Sequence, residues 1–149
     1  MAEILGTATG PYRSVLPRRW DWFGDRTMIV TDVALACCAL EFEAAGAEPV
    51  AADEEVDHLP HAVVVSGTVT DALAPAVVAM IEHIRARTGD VQVVSFGACT
   101  ATGGPYWDSP VVTKGLDQLV PVARYVAGCP PPPGALTAAL ADLRTGATC

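Results

Sequence analysis

The sequence is short of basic residues, of cysteine and of long apolar runs, and each shortage closes a class of function. Nine Lys and Arg stand against 17 Asp and Glu in 149 residues, a formal net charge of −8. A sequence-independent hold on nucleic acid or on an anionic membrane surface needs clustered cations, so no nucleic acid is expected among the partners, and another protein is. Five cysteines do not make a disulfide scaffold, and a domain of this length buries about two thirds of its unfolded surface without staples. No run approaches the roughly 20 apolar residues of a membrane span. "VAGCPPPPGALTAALA" is broken by four prolines and "VQVVSFGACTATGGPYW" by Gly, Ser and Thr. The N-terminal stretch shows no basic start, apolar core and small-residue cleavage site of a secretory signal. A cytoplasmic location with reduced thiols is the expectation.

What is present reads as one well-buried domain: 51% hydrophobic and 17% charged residues place the chain among globular proteins. Residues 1–26 read as an irregular N-terminal arm anchored by Trp20, Trp22 and Phe23, and residues 27–149 as a single domain. "MIVTDVALA" suggests a first strand and the turn after it, with "CALEFEAA" opening a short helix. "HAVVVSG" and "VQVVSFG" are compact valine-rich runs, the pattern of strands buried on both faces. Between them lies a helix with Leu73, Val77, Met80, Ile81 and Ile84 on one face; Pro75 is tolerable in its first turn and Gly89 ends it. "PVARYVAG" is a weaker fourth strand. "PGALTAALADLRTG" is a closing helix with Leu136, Leu140 and Leu143 on one face. Alternating strands and helices imply an α/β fold, a parallel sheet of about four strands with helices on both faces. In such sheets ligands sit beyond the C-terminal strand ends.

The cysteines fall at those ends. Cys37 and Cys38 follow the first apolar run, Cys99 follows "VQVVSFGA", Cys129 follows "PVARYVAG", and Cys149 stands outside this arrangement. Adjacent Cα atoms are about 3.8 Å apart, below the roughly 4.4 to 6.8 Å of a disulfide, so Cys37 and Cys38 need another partner. Four converging thiols suggest a metal site. Neighbouring side chains diverge, which suits a single zinc ion poorly, and no C-x₂₋₄-C knuckle is present. A cubane iron–sulfur cluster offers separated corners, each taking one thiolate. The competing reading, buried cysteines acting as small apolar residues, does not by itself explain four equivalent placements.

"ACCALE", "VSGTVTDALAP", "SFGACTATGG" and "GLDQLVPVARYVAGCPPPPGAL" together resemble the 20 kDa, PSST-type (B) subunit of respiratory complex I, the NADH:quinone oxidoreductase, over about residues 28–143. Small subunits of membrane-bound nickel–iron hydrogenases carry C-x-x-C where this chain has adjacent cysteines. The resemblance implies a flavodoxin-like domain holding one 4Fe-4S cluster, the last of the electron-transfer chain, through Cys37, Cys38, Cys99 and Cys129. It implies a subunit that is not an enzyme alone. Its partners would be a 49 kDa-type (D) subunit sharing the quinone pocket, a ferredoxin-like subunit and membrane subunits, and its place the cytoplasmic face of the membrane, peripherally. Glu41, Gly67, Thr68, Thr70 and Gly97 are candidates to surround the cluster and tune it. Gly103 and Gly104 permit close backbone approach, and Thr68 and Thr70 are equally suited to cap the next helix. Tyr106, Trp107 and Asp108 suit packing against a partner, and His58, His61 and His83 a surface or structural role. The chain departs from the family pattern in a short acidic segment after Glu43 and in Ala123 and Ala127. Two further readings stay open: the small subunit of an energy-converting hydrogenase, or an assembly subunit without a cluster.

Overall fold

Every residue of His61–Ser66 is buried, and five of the six in Val91–Phe96. A strand apolar on both faces is stable only in the middle of a sheet covered on both sides. The computed structural model describes residues 18–51 and 54–146 and has both of these as interior strands of the sheet. In chain order the elements are β1 (Arg19–Asp21), β2 (Ile29–Ala34), α1 (Cys38–Ala44), β3 (Glu48–Pro49), β4 (His61–Ser66), α2 (Ala74–Thr88), β5 (Val91–Phe96), α3 (Ala98–Thr102), β6 (Arg124–Val126) and α4 (Pro133–Thr145), with single 3₁₀ turns at Gly104–Tyr106 and Leu116–Gln118.

The sheet runs in the order β3-β1-β2-β4-β5-β6. β2, β4, β5 and β6 are parallel neighbours, the four-stranded block expected from the sequence. Two short strands extend it to six. β1 lies antiparallel to both β2 and β3, so β3 points the same way as β2. Leaving β1 aside, the parallel strands follow the flavodoxin-like order: from β2 the chain steps outward to β3, then returns to β4 and continues through β5 and β6. The order reverses between β2 and β4, and in open α/β sheets ligands sit beyond the C-terminal strand ends at such a reversal.

The reading of residues 1–26 as an irregular arm needs correction where it can be compared. Residues 1–17 lie outside the described residues, but Arg19–Asp21 is a sheet strand, so a boundary at 26/27 would cut the sheet. The three aromatics do anchor the segment: Trp22 is buried, and Trp20 and Phe23 pack on the same apolar cluster. Phe42 of α1 is the hub, with ring centroids 5.9 Å from Trp20 and 5.1 Å from Trp22, separations of favourable aromatic pairs.

Helices cover both faces, as expected. On one, Val30, Val64, Val94, Phe96 and Val126 meet Cys38 and Phe42 of α1 and Leu136, Ala139 and Leu140 of α4. On the other, Val33, Val63, Val65 and Val93 meet Val77 and Ile81 of α2, with Leu116 and Val120 closing the layer. Each fully buried Val, Leu, Ile or Phe among them contributes about 1.5–3 kcal/mol of transfer free energy. Pro75 sits in the first turn of α2 and Gly89 ends it with φ 88°, its N–H donating to the Arg85 carbonyl at 2.9 Å. Leu73 departs from its expected place on the buried face: it precedes the helix and is 43% exposed. The described residues of the acidic segment after α1 take part in the fold. They form β3, bury Val56, and pair Asp57 with Arg87 at 2.9 Å.

Candidate functional site

Three strands deliver the thiols to one edge. β2 ends at Ala34, and three residues later Cys37 stands immediately before α1, with Cys38 as the first residue of that helix. β5 ends at Phe96 and Cys99 lies in α3. β6 ends at Val126, followed by Cys129. Backbone hydrogen bonds tie these loops together: the Leu35 N–H donates to the Ser66 carbonyl at 2.9 Å, the Gly97 N–H to Val126 at 2.9 Å and the Ala98 N–H to Gly128 at 2.8 Å. All four cysteines are free. Cys38 and Cys99 are buried, at 1% and 5% exposure, while Cys37 and Cys129 are exposed.

The thiols lie close enough to act on one another. Burial, then the neighbouring Cys37 by charge and hydrogen bond, then Cys99 and Cys129, push the Cys38 thiol up to about 12. A positively charged group among the thiols reverses that balance, because it favours the thiolates. Two glycines make the room. A Cβ at Gly97 would stand 2.5 Å from the Cys38 sulfur, and one at Gly104 would stand 3.0 Å from the Cys99 sulfur. Among the described residues no group of three or more His, Cys, Asp and Glu is arranged to hold a metal ion. The donor set of four thiols, half buried and half open, fits a cofactor with separated iron corners better than one compact ion.

The other candidates divide. Gly67 is buried at the end of β4, and its N–H is used within the protein, donating to the Thr100 hydroxyl at 3.2 Å. The Gly97 N–H is likewise taken by Val126, so these two amides hold loops together. Thr70 takes the structural alternative: its hydroxyl accepts from the Leu73 N–H at 3.3 Å in the turn before α2. Thr68 is partly buried in the same loop, and Glu41 is partly buried in the first turn of α1. Tyr106 and Trp107 are 56% and 66% exposed on the loop after α3. Of the histidines, His61 is buried at the start of β4, at the opposite end of the strands from the thiols; its ring Nδ1 lies 2.7 Å from the Leu59 carbonyl, and burial lowers its pKa. His58 and His83 are exposed. Cys149 lies outside the described residues.

Two residues near the site carried no sequence signal. Thr100 is buried, and its hydroxyl joins the Gly67 N–H and the carbonyls of Gly67 at 2.6 Å and of Val65 and Phe96 at 3.3 Å. It stitches the β4 loop to the β5 loop. Asp32 lies inside β2 at 3% exposure with one carboxylate oxygen unpartnered, 3.6 Å from the Arg18 guanidinium, which also pairs with Glu43 of α1. Burial pushes its carboxyl up to about 6; Arg18 opposes the rise and Glu43 adds to it.

Residues 27–143 match the NADH ubiquinone oxidoreductase, 20 Kd subunit, family. The chain belongs to that family. It is 43% identical over 134 residues to a B-type subunit of the NADH-quinone oxidoreductase of Streptomyces griseus, covering 83% of this chain and 54% of that protein. It is 44% identical over 136 residues to a B-type subunit of the NADH-quinone oxidoreductase of Salinispora tropica, covering 85% of this chain and 67% of that protein. The chain thus spans about half to two thirds of the length of these relatives. The fold is also that of a chain in a membrane-bound sulfane sulfur reductase, an archaeal respiratory membrane complex, with a TM-score of 0.57 and 24% identity over 83% of this chain and 72% of that one. Among the described residues no helix is long and apolar enough to cross a membrane.

Proposed function

We propose that this chain is the electron-transfer subunit of a complex I-like NADH:quinone oxidoreductase, with Cys37, Cys38, Cys99 and Cys129 holding one 4Fe-4S cluster. The observation that carries the reading is the gathering of four free cysteines at one sheet edge, two buried and two open, beside a topological switch point. When bound, the cluster supplies a one-electron carrier, the last before quinone. The chain's own residues hold and shield it. Cys38 and Cys99 anchor it from the apolar interior, while Cys37 and Cys129 hold its outer side. Gly97 leaves space beside the Cys38 sulfur, Gly67 fixes the β4 loop through Thr100, and Thr70 shapes the turn behind it. Glu41 and Thr68 contribute charge and a hydroxyl near the site, the kinds of group that shift a reduction potential.

A carrier of this kind acts within an assembly. The partners are a 49 kDa-type (D) subunit sharing the quinone site, a ferredoxin-like electron donor and membrane subunits. The chain sits peripherally on the cytoplasmic face of the membrane. Exposed Leu40, Tyr106 and Trp107 flank the thiol edge and suit burial against such a neighbour.

Anaerobic purification tests the proposal. About four irons and four sulfides per chain are expected for one Cys₄-ligated cubane, with an EPR signal on reduction. Stoichiometric zinc without sulfide refutes it, in favour of a structural role.

A further inference from the structure

The four thiols differ in how they can be reached. Cys37 and Cys129 are exposed, whereas Cys38 and Cys99 are almost fully buried. Cys38 belongs to the apolar cluster around Phe42 and Trp22, and its sulfur lies against Gly97. Cys99 lies against Gly104, where even a methyl group would touch its backbone nitrogen at 2.9 Å and its sulfur at 3.0 Å. An iron–sulfur unit arriving from solvent is larger than a methyl group. Its iron exchanges ligands only with a thiol it can touch.

We propose that the site loads in a fixed order: Cys37 and Cys129 capture the incoming iron–sulfur unit from the solvent side, and Cys38 and Cys99 close on it from within. The inference rests on the cluster reading above. Capture is ligand exchange without electron transfer. The bond between iron and the donor's thiolate breaks, a bond between iron and the Cys37 sulfur forms, and the proton leaving the Cys37 thiol passes to the released donor thiolate. The same exchange occurs at Cys129.

The fold suits this sequence of events. The Cys37 carbonyl accepts the Leu40 N–H at 3.0 Å, so its backbone is part of the helix start while its side chain faces solvent. Cys129 is followed directly by four prolines, whose fixed φ angles limit how far that loop can swing. The two outer thiols are therefore presented by constrained backbone. Once iron is held at Cys37, Cys38 is one residue away, and its exchange becomes intramolecular.

The test uses the reduced full chain under anaerobic conditions, mixed with a synthetic tetranuclear iron–sulfur cluster carrying small thiolate ligands and followed by stopped-flow absorbance. Two phases are expected, one dependent on protein concentration and one independent of it. The double variant Cys37→Ser with Cys129→Ser slows the first phase about tenfold or more, since it removes the accessible thiols. The double variant Cys38→Ser with Cys99→Ser leaves the first phase intact and loses the second. A slowed first phase in the buried-pair variant, or an unchanged one in the exposed-pair variant, overturns the proposal. Timed alkylation of the wild-type apoprotein, read by mass spectrometry, needs no variant. Cys37 and Cys129 should label about tenfold or more ahead of Cys38 and Cys99, and equal rates overturn the order. If the wild type takes up neither iron nor sulfide, the cluster reading itself fails.

Discussion

Asp32 offers the sharpest test of the tertiary structure, because an aspartate inside a buried parallel strand must show its cost as pH changes. Its carboxyl is pushed from 3.8 to about 6, by burial first, with Arg18 opposing and Glu43 adding. A raised pKa means the folded state binds the proton more tightly than the unfolded chain. The resulting stabilisation is fully present below the unfolded value near 3.8 and is lost as pH rises through about 6. The whole difference is about 3 kcal/mol at 1.36 kcal/mol per pKa unit. Between pH 7.5 and pH 5 the wild type should recover about 1.4 kcal/mol of it. Asp32→Asn keeps the shape and removes the titration. Urea unfolding of both chains at pH 5, 6 and 7.5, under reducing conditions, gives the quantity that matters: the difference between their pH dependences, in which the other carboxylates cancel. The wild type should gain about 1.4 kcal/mol more than the variant on going to pH 5. Parallel curves would show that Asp32 is solvated or fully paired, and the account of the strand interior would fail.

Two further outcomes follow from the site. Thr100→Val leaves the Gly67 N–H and carbonyl without their hydroxyl partner, a loss of about 1–3 kcal/mol, and hydrogen exchange at the Gly67 amide should quicken while that of the β5 amides changes little. Gly97→Ala puts a methyl group 2.5 Å from the Cys38 sulfur at a φ of 102°, so bound iron and sulfide per chain should fall well below wild type, as metal analysis after anaerobic purification would show.

Much of the fold is legible because the centre of the sheet is written in runs of one kind. His61–Ser66 and Val91–Phe96 are valine-rich and turn apolar faces both ways, and only a central parallel strand satisfies that pattern. Cysteines placed after parallel strands come to one edge whatever the loops do, which is why positions 37, 38, 99 and 129 could be grouped from their places at predicted strand ends. β1 and β3 were invisible for the opposite reason. Three residues and two residues are too few for any periodicity. Leu73 fits the helical stripe by spacing, yet the helix starts one residue later and the side chain faces solvent.

The sequence by itself determined the alternation of strands and helices, the parallel core and the edge at which the thiols meet, because buried apolar runs and strand-end positions follow from local pattern. Only the tertiary structure decided which thiols are open and which are sealed, that Thr100 holds two of the loops together, and that Asp32 sits desolvated beside Arg18 and Glu43. The last two depend on contacts between segments 11 to 35 residues apart and the sealing of Cys38 on its contact with the still more distant Gly97, and no local pattern encodes the environment such contacts create.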